Sequence, residues 1–188
     1  MPVAHLNFRR HFVLLACALA VVVILAQFDI FGESSLLPDA AIYGALHALA
    51  LSGALYSSAT LARKSLFILL AAALDVAVLY IGILGAALLS TVPVGLNVRA
   101  YLAVGLCSMA GAICYGLLIR RFWLPELSPR PIVRIALGCL IATLLALLLE
   151  NLSGLISLSA LAAVWWCVFS SGLWVFGRTH PLRPDAQA

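Results

Sequence analysis

The chain has 188 residues, 65% of them apolar, and only 10% are Asp, Glu, Lys or Arg. A soluble domain of this length needs about a quarter of its residues charged to cover its surface, so a water-soluble globular protein is excluded and lipid is the expected solvent. The formal net charge of +4 comes from short basic clusters between apolar stretches, which points to a membrane surface and not to nucleic acid.

A helix needs roughly 20 apolar residues to cross about 30 Å of hydrocarbon. Six stretches meet that requirement: 12–28, 40–62, 66–89, 101–119, 132–149 and 155–176. The first follows Arg9-Arg10, a pair that resembles a twin-arginine export signal, and Ala18-Leu19-Ala20 resembles a cleavage site. Apolar residues continue through Val21–Ala26, however, so the segment reads as an uncleaved helix with a basic flank.

The second stretch carries Tyr43 and His47 on one face, and Gly44, Ala48 and Ser52 as small residues at four-residue spacing. Arg63 and Lys64 form a short connection to the third stretch, so the two helices are expected as antiparallel neighbours. Asp75 lies near the middle of the third, among aliphatic residues. An ionised carboxylate there costs about 2.5–3.5 kcal/mol on insertion scales, which makes Asp75 a candidate proton carrier or neutral hydrogen-bond donor. Four of its six helical neighbours, Ala71, Ala72, Gly82 and Ala86 (beside Val78 and Leu79), are small, so it is expected to face other helices. Equal rise from a turn at Arg63–Ser65 places Ser52, Gly53 and Tyr56 level with it, and His47 about 10 Å further out.

The fourth stretch repeats the small-residue pattern at Ser108, Ala112 and Gly116, and carries Cys107 and Cys114. All five cysteines, with Cys17, Cys139 and Cys167, fall within spans without CxxC spacing and read as buried packing residues; neither metal nor cofactor is expected. His47 has no second intramembrane histidine as an opposing haem ligand, because His5, His11 and His180 lie outside the spans. Arg120-Arg121-Phe122-Trp123 opens the basic connection to the fifth stretch, with Arg120, Arg121 and Trp123 as a lipid or partner interface and Trp123 in an aromatic belt. Trp165 and Trp166 sit mid-way along the sixth stretch, away from the interfaces that tryptophan prefers, and are expected to fill the core or line a pocket. Asn151-Leu152-Ser153 matches a glycosylation pattern by chance beside a span.

The basic residues Arg9, Arg10, Arg63, Lys64, Arg120, Arg121, Arg130, Arg134, Arg178 and Arg183 flank alternate returns, leaving Arg99 alone on the other side with Asp29, Glu33, Asp39 and Glu150. By the positive-inside rule the expectation is an all-α polytopic membrane bundle of six transmembrane helices with both termini cytoplasmic. It divides into a flank 1–11, a membrane domain 12–178 and a tail 179–188, and an arginine-rich composition suggests a bacterial inner membrane. Size and layout are loosely similar to the substrate-binding subunits of energy-coupling vitamin transporters, with Ala16 and Ala20 fitting a small-residue docking face.

No nucleophilic serine motif, aspartate pair, HExxH or phosphate loop is present, so an intramembrane enzyme ranks last. The leading expectation is a transport- or channel-type protein in which Asp75, Ser52 and Tyr56, with Tyr43, His47, Trp165 and Trp166, handle a proton or small solute. The alternative is a non-catalytic subunit or assembly factor whose partners, beyond the lipid bilayer, are other membrane subunits or a second copy of the chain.

Overall fold

The structure is a computed structural model that describes residues 5–27, 36–56, 60–89, 96–153 and 158–179. Among these residues the chain forms six helices: α1 (Phe8–Gln27), α2 (Leu36–Ala54), α3 (Leu61–Leu89), α4 (Leu96–Phe122), α5 (Pro129–Ser153) and α6 (Leu158–Thr179). The remaining elements are two short strands, β1 (His5–Leu6) and β2 (Leu55–Tyr56), paired antiparallel. Four helices are long and apolar enough to cross a membrane, over Leu61–Gly85, Tyr101–Phe122, Pro129–Leu149 and Ala160–Gly177. Their length and composition are those expected of a multi-pass membrane protein. Their outward faces are aliphatic: Leu69, Ile81, Leu84, Ile141 and Leu145 all point away from the bundle. The tail past Thr179 lies outside the described residues.

Local chemistry sets the starts of three helices. The Asn7 side chain accepts a hydrogen bond from the Arg10 amide at 3.0 Å, capping α1, and Thr60 accepts the Arg63 amide, capping α3. Pro129 occupies the first position of α5, where its missing N–H goes unused. Pro38 similarly lies in the first turn of α2, so it breaks no helical hydrogen bond.

Each helix packs on the next, and α1 also packs on α6, so the six close into a ring. The contacts that pin successive ends together alternate the helix directions. The Asn7 amide donates to the Ala54 carbonyl, Phe8 lies against Gly177, and Arg63 donates to the Phe122 carbonyl. Arg9, Arg10, Arg63, Lys64, Arg120, Arg121, Arg130 and Arg134 are thereby gathered at one end of the bundle.

Three expectations do not hold. The second stretch does not run helically from residue 40 to 62: the helix stops at Ala54 because Leu55–Tyr56 turn extended and pair with His5–Leu6. The third begins at Leu61, which places Arg63 and Lys64 in the first turn of α3 and not in the connection. The α2–α3 turn consequently centres several residues earlier than expected. Cys17, Cys114 and Cys167 are exposed on the outside of the bundle and Cys107 is half-buried, leaving Cys139 alone fully buried. In lipid a thiol gains little by facing inward, so burial does not sort cysteines as it does in water.

Candidate functional site

Gly44 sets the geometry of the site. A Cβ at this position would stand 2.8 Å from the Ala71 carbonyl oxygen and 2.8 Å from Asp75 Oδ2, so α2 and α3 touch here backbone to backbone. The absent side chain makes room for the Asp75 carboxylate. Beside it an open cavity of about 400 Å³ lies among α2, α3, α4, α5 and α6, in the half of the bundle away from the basic end. Its wall is mostly aliphatic, and its polar or aromatic members are Tyr43, Asp75, Ser108, Thr143, Trp165 and Trp166. Ser108 and Thr143 share a hydrogen bond of 2.8 Å across α4 and α5, and the Trp165 indole N–H donates to the Ser108 carbonyl at 3.2 Å. These bonds use one of the two hydroxyl hydrogens and the indole N–H. The Asp75 carboxylate, in contrast, has neither a hydrogen-bond donor nor a cation paired with it among the described residues.

Next to the cavity the bundle axis is filled with rings. His47 stacks on Tyr115 at 4.9 Å and on Trp166 at 5.2 Å, and it meets Trp165 and Phe169 edge-on. Trp165 in turn stacks on Phe169 at 5.1 Å. His11 lies 6.5 Å from His47, fully buried, and shares a hydrogen bond of 2.9 Å between its Nε2 and Ser170 Oγ. The Tyr115 hydroxyl is buried with no hydrogen-bond partner among the described residues, within electrostatic range of Asp75.

Of the residues singled out in the sequence, Asp75, Tyr43, Trp165 and Trp166 line one cavity, and His47 packs directly against both tryptophans. Ser52 does not join them. It is buried in α2 and donates to the Leu49 carbonyl of its own helix at 3.1 Å. The shifted turn explains the difference: Asp75 is level with Gly44, not with Ser52 and Gly53. The side chain of Tyr56 lies outside the described residues. Arg120 and Arg121 are exposed at the basic end. Trp123 is not in an interfacial belt, because it is buried beneath Arg63, whose guanidinium lies 5.4 Å from the ring, and meets Phe67 edge-on. The chain folds back over residues 123–128 with Leu124 and Leu127 buried, which draws Trp123 inward.

Both small-residue stripes serve packing within the chain. Gly44, Ala48 and Ser52 are buried, and a Cβ on Gly116 would meet Ile132 of α5 at 2.8 Å.

Sequence reasoning missed His11, Ser170, Tyr115 and Thr143. Tyr115 had a signal, since it lies seven residues after Ser108 on the same helical face. His11 had none: beside Arg9 and Arg10 it reads as part of a basic flank, and its partner is 159 residues away. Compared with protein families, curated proteins and solved structures, the chain matches none.

Proposed function

We propose that this chain is a six-span protein of a bacterial inner membrane, with both termini in the cytoplasm, that takes a small solute or proton into the bundle at Asp75 in a transport-type role. One observation carries the reading: a carboxylate without a partner among the described residues faces a mostly aliphatic cavity of about 400 Å³ inside the bundle. A buried charge without a partner is expensive, and in membrane proteins such groups mark ion, proton or substrate pathways. A carboxylate present only for helix packing would be expected to hold a hydrogen bond across to a neighbouring helix. Tyr43, Trp165 and Trp166 complete the site as its aromatic wall, and His47 packs against the two tryptophans from behind. The basic end faces the cytoplasm under the positive-inside rule, which puts the cavity in the outer half.

A second reading, as a subunit of a larger assembly, draws on α1. Its outward face exposes Ala16 and Ala20, four residues apart, where a partner helix could approach closely.

Proteoliposomes test the choice. Wild type alone should move protons, read with a trapped pH dye, or one of a panel of labelled small solutes. Asp75→Asn should lose at least tenfold of that flux while keeping the wild-type melting temperature. An inert wild type that co-purifies with stoichiometric membrane partners would reject transport in favour of the subunit reading.

A further inference from the structure

The composition of the cavity wall narrows the class of ligand. Among the described lining residues there is no Lys, Arg or His, so an anion entering the cavity would lose its water and gain no opposite charge from them. Polyhydroxylated solutes fare little better. Ser108 and Thr143 share one hydrogen bond, which leaves one hydroxyl hydrogen between them, and the Trp165 N–H is taken by the Ser108 carbonyl, so beside the Tyr43 hydroxyl few donors remain for a solute rich in hydroxyls. What the wall does offer is one carboxylate without a cation among the described residues, three aromatic side chains and a mostly aliphatic remainder. An ammonium ion bearing alkyl groups satisfies all three features. Its charge pairs with the carboxylate, its positive surface is attracted to indole and phenol rings, and its carbons bury against the aliphatic wall. The rings are also held in place: Trp166 is stacked on His47 and met edge-on by Tyr43, and Trp165 is stacked on Phe169. A wall fixed in this way loses little side-chain freedom when a ligand arrives. A volume of about 400 Å³ lies at the small end of small-molecule sites.

We infer that the cavity binds a small organic ammonium ion, with the Asp75 carboxylate as counter-ion and the Tyr43, Trp165 and Trp166 rings around its alkyl groups. The inference rests on the reading of Asp75 as a solute site and adds the charge and class of the solute.

Binding to the full chain in nanodiscs, measured by calorimetry, tests it. The probes are choline, tetraethylammonium and benzyltrimethylammonium, with benzoate as an anion and the neutral alcohol that has carbon where choline has nitrogen. At least one ammonium should bind, and choline should bind at least tenfold more tightly than its neutral isostere. Asp75→Asn should abolish that preference. A second measurement needs no altered carboxylate: Cys107 lines the cavity, so bound ammonium should slow its alkylation in the wild-type chain, read by mass spectrometry. Absence of binding by all three ammonium ions, or equal binding of choline and its isostere, overturns the inference. If flux of a proton or a neutral solute still depends on Asp75 in that case, the site stands and only its ligand class falls. Ammonium binding without flux would support the ligand class and reject transport.

Discussion

The α2–α3 register is tested most directly by adding one methyl group. In Gly44→Ala the new Cβ falls 2.8 Å from the Ala71 carbonyl oxygen and from Asp75 Oδ2, and 2.9 Å from Asp75 Cγ. That is roughly 0.6 Å inside ordinary van der Waals contact. The carboxylate can rotate away, but the Ala71 carbonyl is helix backbone and cannot, so the helices must separate. Overpacking of this kind costs about 1–3 kcal/mol. Against it stands the better helix propensity of alanine, about 1 kcal/mol. Gly85 on α3 supplies the control, since a Cβ there meets nothing within 4 Å. Gly85→Ala receives the propensity gain without the clash, and comparing the two variants cancels the backbone contribution. Reversible unfolding in mixed micelles, followed by circular dichroism, should therefore find Gly44→Ala less stable than Gly85→Ala by about 1–3 kcal/mol. Adding Asp75→Ala to Gly44→Ala should recover only part of the loss, because the Ala71 contact remains. If the two single variants agree within about 0.5 kcal/mol, smaller than any overpacking cost, Gly44 does not face Ala71 and the described register is wrong.

Tyr115→Phe should leave stability unchanged or raise it by about 1 kcal/mol, because it removes a buried hydroxyl with no hydrogen-bond partner among the described residues. A loss of more than about 1 kcal/mol in the same assay would reveal a bond that the hydroxyl does make. Arg63→Ala should cost about 1–2 kcal/mol through loss of the Phe122 carbonyl contact and the stacking on Trp123, and Arg63→Lys should restore no more than half. Full rescue by lysine would show that charge alone matters there. For orientation, Arg121→Cys in a chain whose five native cysteines are replaced should react with a membrane-impermeant maleimide in inverted vesicles but not in intact cells. Labelling of intact cells would reverse the assignment of sides.

Long apolar runs between basic returns make the helices legible in the sequence, because lipid permits almost nothing else over such lengths. The inward aspect of Asp75 is legible for a similar reason: its helical neighbours are too small to be worth presenting to lipid, and Ala71 indeed packs on Gly44. Its partners are not legible. A residue in extended backbone advances about 3.3 Å and a helical residue about 1.5 Å, so two extended residues at Leu55–Tyr56 upset a register counted by helical rise. Those two residues are extended because they pair with His5–Leu6, a contact between distant parts of the chain that no local pattern announces. Trp123 is misplaced by its sequence position for a related reason: position along the chain suggests depth in the membrane, but a turn that folds back on the bundle can pull an interfacial residue inside.

The ring cluster also fixes the order in which binding and movement must be understood. Toward the basic end the axis beyond His47 is filled by Tyr115, Phe169, Phe67 and Trp123, all buried, so a solute at Asp75 does not reach that end while the rings stay packed. Ring pairs contribute about 0.5–1.5 kcal/mol each beyond simple burial. His47 takes part in five of them, with His11, Tyr115, Trp165, Trp166 and Phe169. Five such pairs sum to about 2.5–7.5 kcal/mol, which holds a form with the cluster around His47 parted to about one part in a hundred or less. A ligand can shift that balance only by as much as it prefers the open form to the closed one. On the proposed reading, a ligand fills the cavity with the rings packed as they stand, and its passage toward the basic end requires the ligand itself to part them. Trp165 and Trp166 are where the two connect, because they line the cavity and also pack against His47. A solute that displaces either ring from its stacked position loosens the same cluster that blocks its way.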